Sequence, residues 1–178
     1  DVLLRVNRPD VERGDVRLSL RGVKAIGNNG LPALNGVDLD VFGGEILGLA
    51  GVSGNGQKEM AEVIAGIRAS SGGRVTIDGA DATGHTPAQL LDRGLSYIPE
   101  ERMTDGVVRD FSVEENLILK DHHRPPYSKG LFMDFKRIAI ETDQLIEKFD
   151  VRTPSRNTKL KSLSGGNIQK TILARELS

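Results

Sequence analysis

The stretch Gly51-Val52-Ser53-Gly54-Asn55-Gly56-Gln57-Lys58 has the composition of a loop that closes around phosphate. Such a loop needs glycine, because backbone N–H groups must wrap the anion at φ values that a side chain would block. Gly51, Gly54 and Gly56 supply it, with Asn55, Gln57 and Lys58 as the other candidate contacts. The full pattern Gly-x-x-x-x-Gly-Lys-Ser/Thr also asks for a lysine on the β- and γ-phosphates and a hydroxyl on Mg²⁺. Gln57 and Lys58 stand at those two places. An amide donates without charge, an ammonium cannot ligate a cation, and a lysine moved by one residue on the first helical turn points about 100° away. The residues fit either a weak anion cradle at a helix N-terminus or a glycine-rich turn that binds nothing.

A second cluster, Leu163-Ser164-Gly165-Gly166-Asn167-Ile168-Gln169-Lys170, opens a predicted helix near Gly166. Ser164, Gly165 and Gly166 there would present a hydroxyl and bare N–H groups to an anion, although Ser-Gly-Gly is also an ordinary helix cap. His122 and His123 have no third ligand at a suitable spacing, and metal sites need three or four, so a solvated loop and no metal site are expected. Glu100-Glu101-Arg102 and Asp105-Gly106 read equally as a contact segment and as a charged surface loop. Glu114 and Glu115 read as helix capping rather than as an acid–base pair.

The elements that must position these residues follow from periodicity. Val16, Leu18 and Leu20 alternate with polar residues, as do Val37, Leu39 and Val41, and Gly27-Asn28-Asn29-Gly30 separates them, so residues 16–42 read as antiparallel sheet. Ile46 to Ala50 is continuously apolar, as a strand buried on both faces of a parallel sheet would be. Met60, Val63, Ile64 and Ile67 follow the glycine loop at helical spacing, giving strand, glycine loop, helix. Val75 to Ile77, bracketed by glycines, reads as a strand in a hairpin, Pro87 starts a helix through Leu91, and Leu95 to Ile98 reads as another buried strand. Beyond Glu100 the pattern turns helical: Ser112-Val113-Glu114-Glu115 has capping-box spacing. Phe135 through Phe149 carries an apolar face, and Ile168, Ile172, Leu173 and Leu177 mark the last helix.

Composition bounds the rest. The 178 residues are enough for a hydrophobic core. The 24 Lys plus Arg against 25 Asp plus Glu argue against a nucleic-acid or anionic-lipid surface. Cysteine is absent, which excludes disulfides and thiolate metal sites and points to a reducing cytosol. No apolar run reaches the roughly 18 residues that span a bilayer, and no signal peptide opens the chain. A first residue of Asp1 suggests excision from something longer.

In combination and in this order, the glycine loop after a buried strand, Pro99-Glu100 after the next strand, a helical insertion and Leu163-Ser164-Gly165-Gly166-x-x-Gln169 resemble the ATP-binding cassette (ABC) domain over residues 16–178. The fold this implies is an α/β P-loop NTPase of ABC type. It comprises a linker or arm (1–15), an antiparallel β part (16–45), a P-loop core part with a parallel sheet (46–100), an α-helical insertion (101–165) and a signature helix (166–178). Gly51 to Gln57, Tyr97-Ile98-Pro99-Glu100-Glu101-Arg102 and Leu163 to Lys170 further resemble the second half of the tandem ATPases of simple-sugar and nucleoside importers. The glycine-loop wording leans slightly towards nucleoside systems.

The resemblance implies that two ABC halves face each other head to tail, each sandwiching ATP between its own phosphate loop and the other's signature. Ser164, Gly165 and Gly166 would act in trans on ATP held by the other half and stabilise γ-phosphate charge. Gly51, Gly54, Asn55, Gly56, Gln57 and Lys58 would hold a second nucleotide weakly or not at all, with Mg²⁺ weak or absent there. Glu100 stands where most members have a Mg²⁺-touching glutamine, and Ile26 where an adenine-stacking aromatic is usual. The implied partners are the other ABC half and transmembrane permease subunits, through Glu100 to Arg109, at the cytoplasmic face of the membrane. The family's Mg²⁺-binding aspartate on a following strand and its γ-phosphate-sensing histidine are absent from this sequence, so no ATPase activity is expected of it alone. Two other readings stand beside this one: a catalytically silent regulatory or dimerisation module of ABC shape, and a small P-loop kinase or GTPase. The last is disfavoured because those enzymes use the loop lysine.

Overall fold

The computed structural model describes residues 11–178 and forms two compact units, the first ending at Leu95 and the second running from Ser96 to Ser178. The first ten residues of the expected arm lie outside the described residues.

In the first unit, β1 (Val16–Ile26) and β2 (Pro32–Phe42) pair antiparallel across the predicted turn, and β3 (Gly72–Ile77) pairs on the other side of β1, followed by the two-residue β4 (Ala80–Asp81). The sheet order is β2-β1-β3-β4. Just before β1, the Gly14 N–H donates to the Gly43 carbonyl at 2.9 Å and the Gly43 N–H to the Asp15 carbonyl at 2.8 Å, while the Arg13 guanidinium lies 3.4 Å from the centroid of the Phe42 ring. Helix α1 (Gln57–Ile64) buries Met60 and Val63 against Leu20, Val23, Leu34 and Val75. Helix α2 (Pro87–Leu91) begins at Thr86, whose hydroxyl and Gln89 form a reciprocal capping box, and buries Leu90 in the same core.

The apolar spacing on α1 runs past its end. The helix stops at Ile64, because Gly66 takes a left-handed φ of +70° and its neighbours close the turn: Gly66 N–H to Val63 O at 3.1 Å and Ile67 N–H to Glu62 O at 2.9 Å. Ile67 is therefore 56% exposed, not on the buried face. A larger departure concerns the parallel sheet. Residues 46–50 and 95–98 join no ladder among the described residues, and Ile46 is 89% exposed. Continuous apolarity prepares a segment for burial on both faces, but a strand is held by hydrogen bonds to the backbone of a neighbour, and among the described residues neither segment makes them as part of a sheet.

In the second unit, α3 (Val113–Leu117), α4 (Phe135–Lys148) and α5 (Gly165–Glu176) surround a core of Val107, Val113, Leu117, Leu145, Leu160, Ile168 and Ile172. Ser112 caps α3 with the predicted capping box to Glu115. A small hairpin, β5 (Ser128–Lys129) with β6 (Phe132–Met133), was not foreseen in the loop that contains Pro125 and Pro126. Among the described residues no helix is long and apolar enough to cross a membrane.

Candidate functional sites: two helix N-termini

Each candidate cluster sits at the start of a helix, one in each unit. At α1, Gly56 is the N-cap, buried, with φ +93°, and Gly54 has φ +88°. A Cβ on Gly56 would lie 2.6 Å from the Ala33 carbonyl oxygen at the start of β2, so both the dihedral and the packing require glycine. The N–H groups of Gly54, Gly56, Gln57 and Lys58 have no acceptor among the described residues. This is the backbone of a phosphate nest.

The side chains work against it. Gln57 folds back over the loop: its Nε2 donates to the Val52 carbonyl at 3.3 Å and lies so close to Gly51 that any Cβ there would collide with it. The Lys58 ammonium lies along α1, 3.9 Å from Glu62, which also holds Arg68 at 2.7 Å. The nearest cation thus points down the helix and away from the loop, as its offset position predicts. The amides fit a phosphate group, but no hydroxyl stands at the loop's Mg²⁺ position, and the described residues contain no group of three or more His or acidic side chains placed to hold a metal ion.

At α5 the arrangement is reversed. Ser164 is the N-cap with extended backbone (φ −66°, ψ 154°), yet its hydroxyl caps no backbone N–H. Instead Oγ accepts from Asn167 Nδ2 at 3.1 Å, and Asn167 Oδ1 accepts the Arg152 N–H at 2.9 Å. Asn167 thereby fixes the serine side chain and leaves its O–H hydrogen free to donate. The N–H groups of Gly165, Gly166 and Asn167 are unpaired among the described residues, and a Cβ on either glycine would meet nothing within 4 Å. Three backbone donors and one hydroxyl share an open, glycine-bare surface at the positive end of a 12-residue helix.

Firm foundations hold this turn. Ile168 and Ile172 are 3% and 1% exposed, and burying each isoleucine is worth about 1.5–3 kcal/mol. The lead-in to Ser164 is zipped to the start of α3: Val113 N–H to Thr158 O at 3.0 Å, Leu160 N–H to Phe111 O at 2.9 Å and Lys161 N–H to Arg109 O at 3.0 Å. One turn into α5, Lys170 Nζ meets the Asp150 carboxylate at 2.5 Å and its carbonyl at 2.8 Å. The hydrogen bond from Lys170, then its charge, holds the Asp150 carboxyl below its ordinary value of 3.8.

Two further residues complete the surroundings: Asn116, which no sequence motif singles out, and Arg102, which the sequence marks only as part of a charged contact segment. Asn116 is fully buried; its Oδ1 accepts the Val108 N–H at 2.9 Å, and its Nδ2 donates to the Val108 and Ser112 carbonyls at 3.0 and 2.9 Å. The signal was there: an amide on the apolar face of a short helix, one turn after its cap. Arg102 reaches α5 from the Glu100 to Arg109 segment, a link between positions far apart in sequence that no local pattern reveals. His122 and His123 pack edge to face, 5.4 Å between ring centroids.

The fold is that of an ATP-binding cassette. A nucleotide-free ATP-binding cassette from an ABC transporter aligns with 91% of this chain and 64% of its own length (TM-score 0.71, 22% identity), and a dimeric post-hydrolysis cassette bound to ADP and Pi with 90% and 68% (TM-score 0.68, 23% identity). The ABC transporter family model matches residues 34–178, and the chain belongs to that family. Among named relatives, it is 44% identical to the glucose import ATP-binding protein of Haloferax volcanii, over 100% of this chain and 33% of the relative. It is 37% identical to a nucleoside import ATP-binding protein of Lactococcus lactis (92% and 32%) and 33% identical to a guanosine import ATP-binding protein of Bacillus subtilis (99% and 35%). The chain spans about a third of the length of these relatives.

Proposed function

We propose that this chain is part of the ATP-binding, energy-coupling subunit of an importer of simple sugars or nucleosides, and that it corresponds to the second of two ABC halves. In this reading Ser164, Gly165 and Gly166 act in trans on ATP·Mg²⁺ bound by the other half. Its own loop, Gly51 to Lys58, holds nucleotide weakly or not at all. The assembly sits at the inner face of the membrane, with permease subunits contacting Glu100 to Arg109.

One observation carries the reading. The α5 N-terminus keeps three N–H donors and a hydroxyl hydrogen uncommitted, while at α1 the residue in the lysine position is turned onto its own loop. Donors fixed in advance stabilise charge that develops on a γ-phosphate without reorganising at the moment of reaction. A cradle without cation or hydroxyl lacks the groups that oppose phosphate charge and hold Mg²⁺. The test is Gly166→Asp in the full-length protein. The site has room for the side chain, so folding is preserved, while a carboxylate faces the phosphate. ATP turnover should fall by at least about a hundredfold, the scale of losing one such donor; undiminished turnover would favour the silent regulatory module.

A further inference from the structure

The segment proposed to meet the permease is also seated on the signature helix. Glu101 to Gly106 makes one helical turn, with Asp105 N–H to Glu101 O at 2.9 Å and Gly106 N–H to Arg102 O at 3.1 Å. Gly106 lies against α5: a Cβ there would come within 2.8 Å of both Ile172 Cδ1 and the Arg102 carbonyl oxygen. From the same turn, Arg102 Nη1 donates to Gln169 Oε1 at 2.9 Å and to the Gly165 carbonyl at 3.4 Å. Gly165 and Gln169 are four residues apart, hence on one face of α5, so a single planar guanidinium group grips the helix by its first residue and by a side chain one turn on. Beyond the turn, Asn116 clamps Val108 from both sides of its backbone. The segment is a braced lever with one end on the donors' own helix.

We propose that Arg102 is a positioning residue that transmits the seating of residues 100–109 by the permease to the Ser164-Gly165-Gly166 turn, so that its donors align on the trans nucleotide when transporter and ATPase are engaged. The inference rests on the trans-signature reading above. Arg102 touches no nucleotide in this scheme. It acts through the Gly165 carbonyl, so its loss misaligns the turn without removing a donor, and the effect falls on turnover rather than on ATP affinity.

The experiment compares variants of the full-length ATPase assembled with its permease in lipid nanodiscs, reading permease-stimulated ATP turnover. Arg102→Met keeps the apolar stem and removes the donors; kcat is expected to fall about tenfold with KM for ATP unchanged. Arg102→Lys, which keeps the charge and one donor, should recover about a third of wild-type kcat. Because the two residues act as one contact, Arg102→Met combined with Gln169→Leu should be no slower than the slower single variant. Wild-type kcat in Arg102→Met, a raised KM at constant kcat, or losses that multiply in the double variant would each overturn the proposal. So would failure of Arg102→Met to co-purify with the permease, which would place Arg102 in the contact itself. Gly166→Asp run alongside separates the two levels: if it is active the trans-signature reading fails, and if it is dead while Arg102→Met is fully active only the lever fails.

Discussion

The two helix N-termini have almost the same raw material: glycines, bare backbone amides and a polar side chain at the cap (Ser164) or one residue after it (Gln57). They differ in what their neighbours do with it. At α1, Gln57 turns inward onto Val52 and Gly51, and the adjacent cation is engaged with Glu62. At α5, Asn167 holds Ser164 sideways, and Lys170, which could have crowded the turn, is drawn back to Asp150. A helix N-terminus is therefore not an anion site by virtue of its dipole alone. The side chains within one turn decide whether its donors are left open or covered.

The largest expected effect breaks the comparison in one step. Gly166→Asp should abolish turnover of the full-length protein, whereas Gly54→Asn, at a positive-φ position that asparagine tolerates and with open space around it, should leave turnover within about threefold. Equal damage from both would erase the distinction between the sites.

Next comes repair of the weaker site. Gln57→Lys with Lys58→Ser restores a loop cation and a Mg²⁺-ligating hydroxyl, and MgATP binding at this loop should tighten by at least about tenfold, measured by titration with a fluorescent nucleotide. Gln57→Ala sharpens the result. If the folded-back amide obstructs the nest, removing it should by itself increase binding of pyrophosphate severalfold; if only charge is missing, it should not.

A smaller effect concerns the foundations of α5 and its lever. Asn116→Leu leaves the Val108 N–H and carbonyl, on a residue that is itself 37% exposed, without their side-chain partners, and chemical denaturation should show a loss of about 1–3 kcal/mol. The α1 loop, which leans on backbone packing against Ala33, should keep whatever nucleotide affinity it had.

The smallest is a matter of pH. Asp150 has its carboxyl lowered by Lys170, so its contribution to stability is present above the ordinary carboxylate value and is lost as pH falls through the lowered one. Asp150→Asn, which tolerates the φ of +49° at this position, should flatten the acid limb of the thermal stability curve below about pH 4 and change little at pH 7.

Much of this is legible in the sequence alone. The alternation at Val16 to Leu20 and Val37 to Val41 gave β1 and β2 because period two has one interpretation when polar residues separate the apolar ones. Ser112 with Glu115, and the spacing along Phe135 to Phe149, marked helix starts and faces through local chemistry alone. The one-residue offset of Lys58 follows from 3.6-residue geometry, and its ammonium lies 3.9 Å from Glu62. Local patterns failed where partners are remote. Ile46 to Ala50 carries the composition of a buried strand, but pairing depends on a neighbour that composition does not specify. The β5–β6 hairpin lacks the alternation that would announce it, being two residues per strand. The grip of Arg102 on Gln169, and the clamp of Asn116 on Val108, belong to tertiary structure and leave no periodic trace.

The Asn116 clamp has a further consequence, in time rather than in energy. Val108 lies in no helix or strand, where amide hydrogens ordinarily exchange with solvent at nearly the free rate. Val108 is 37% exposed, yet its amide is bonded to a side chain with no exposed surface and should exchange more slowly than those of its neighbours. It is a slow clock set inside a fast segment. Hydrogen–deuterium exchange at that one residue, followed with and without the proposed permease partner, would test whether residues 100–109 move on assembly, with no substitution and no attached probe.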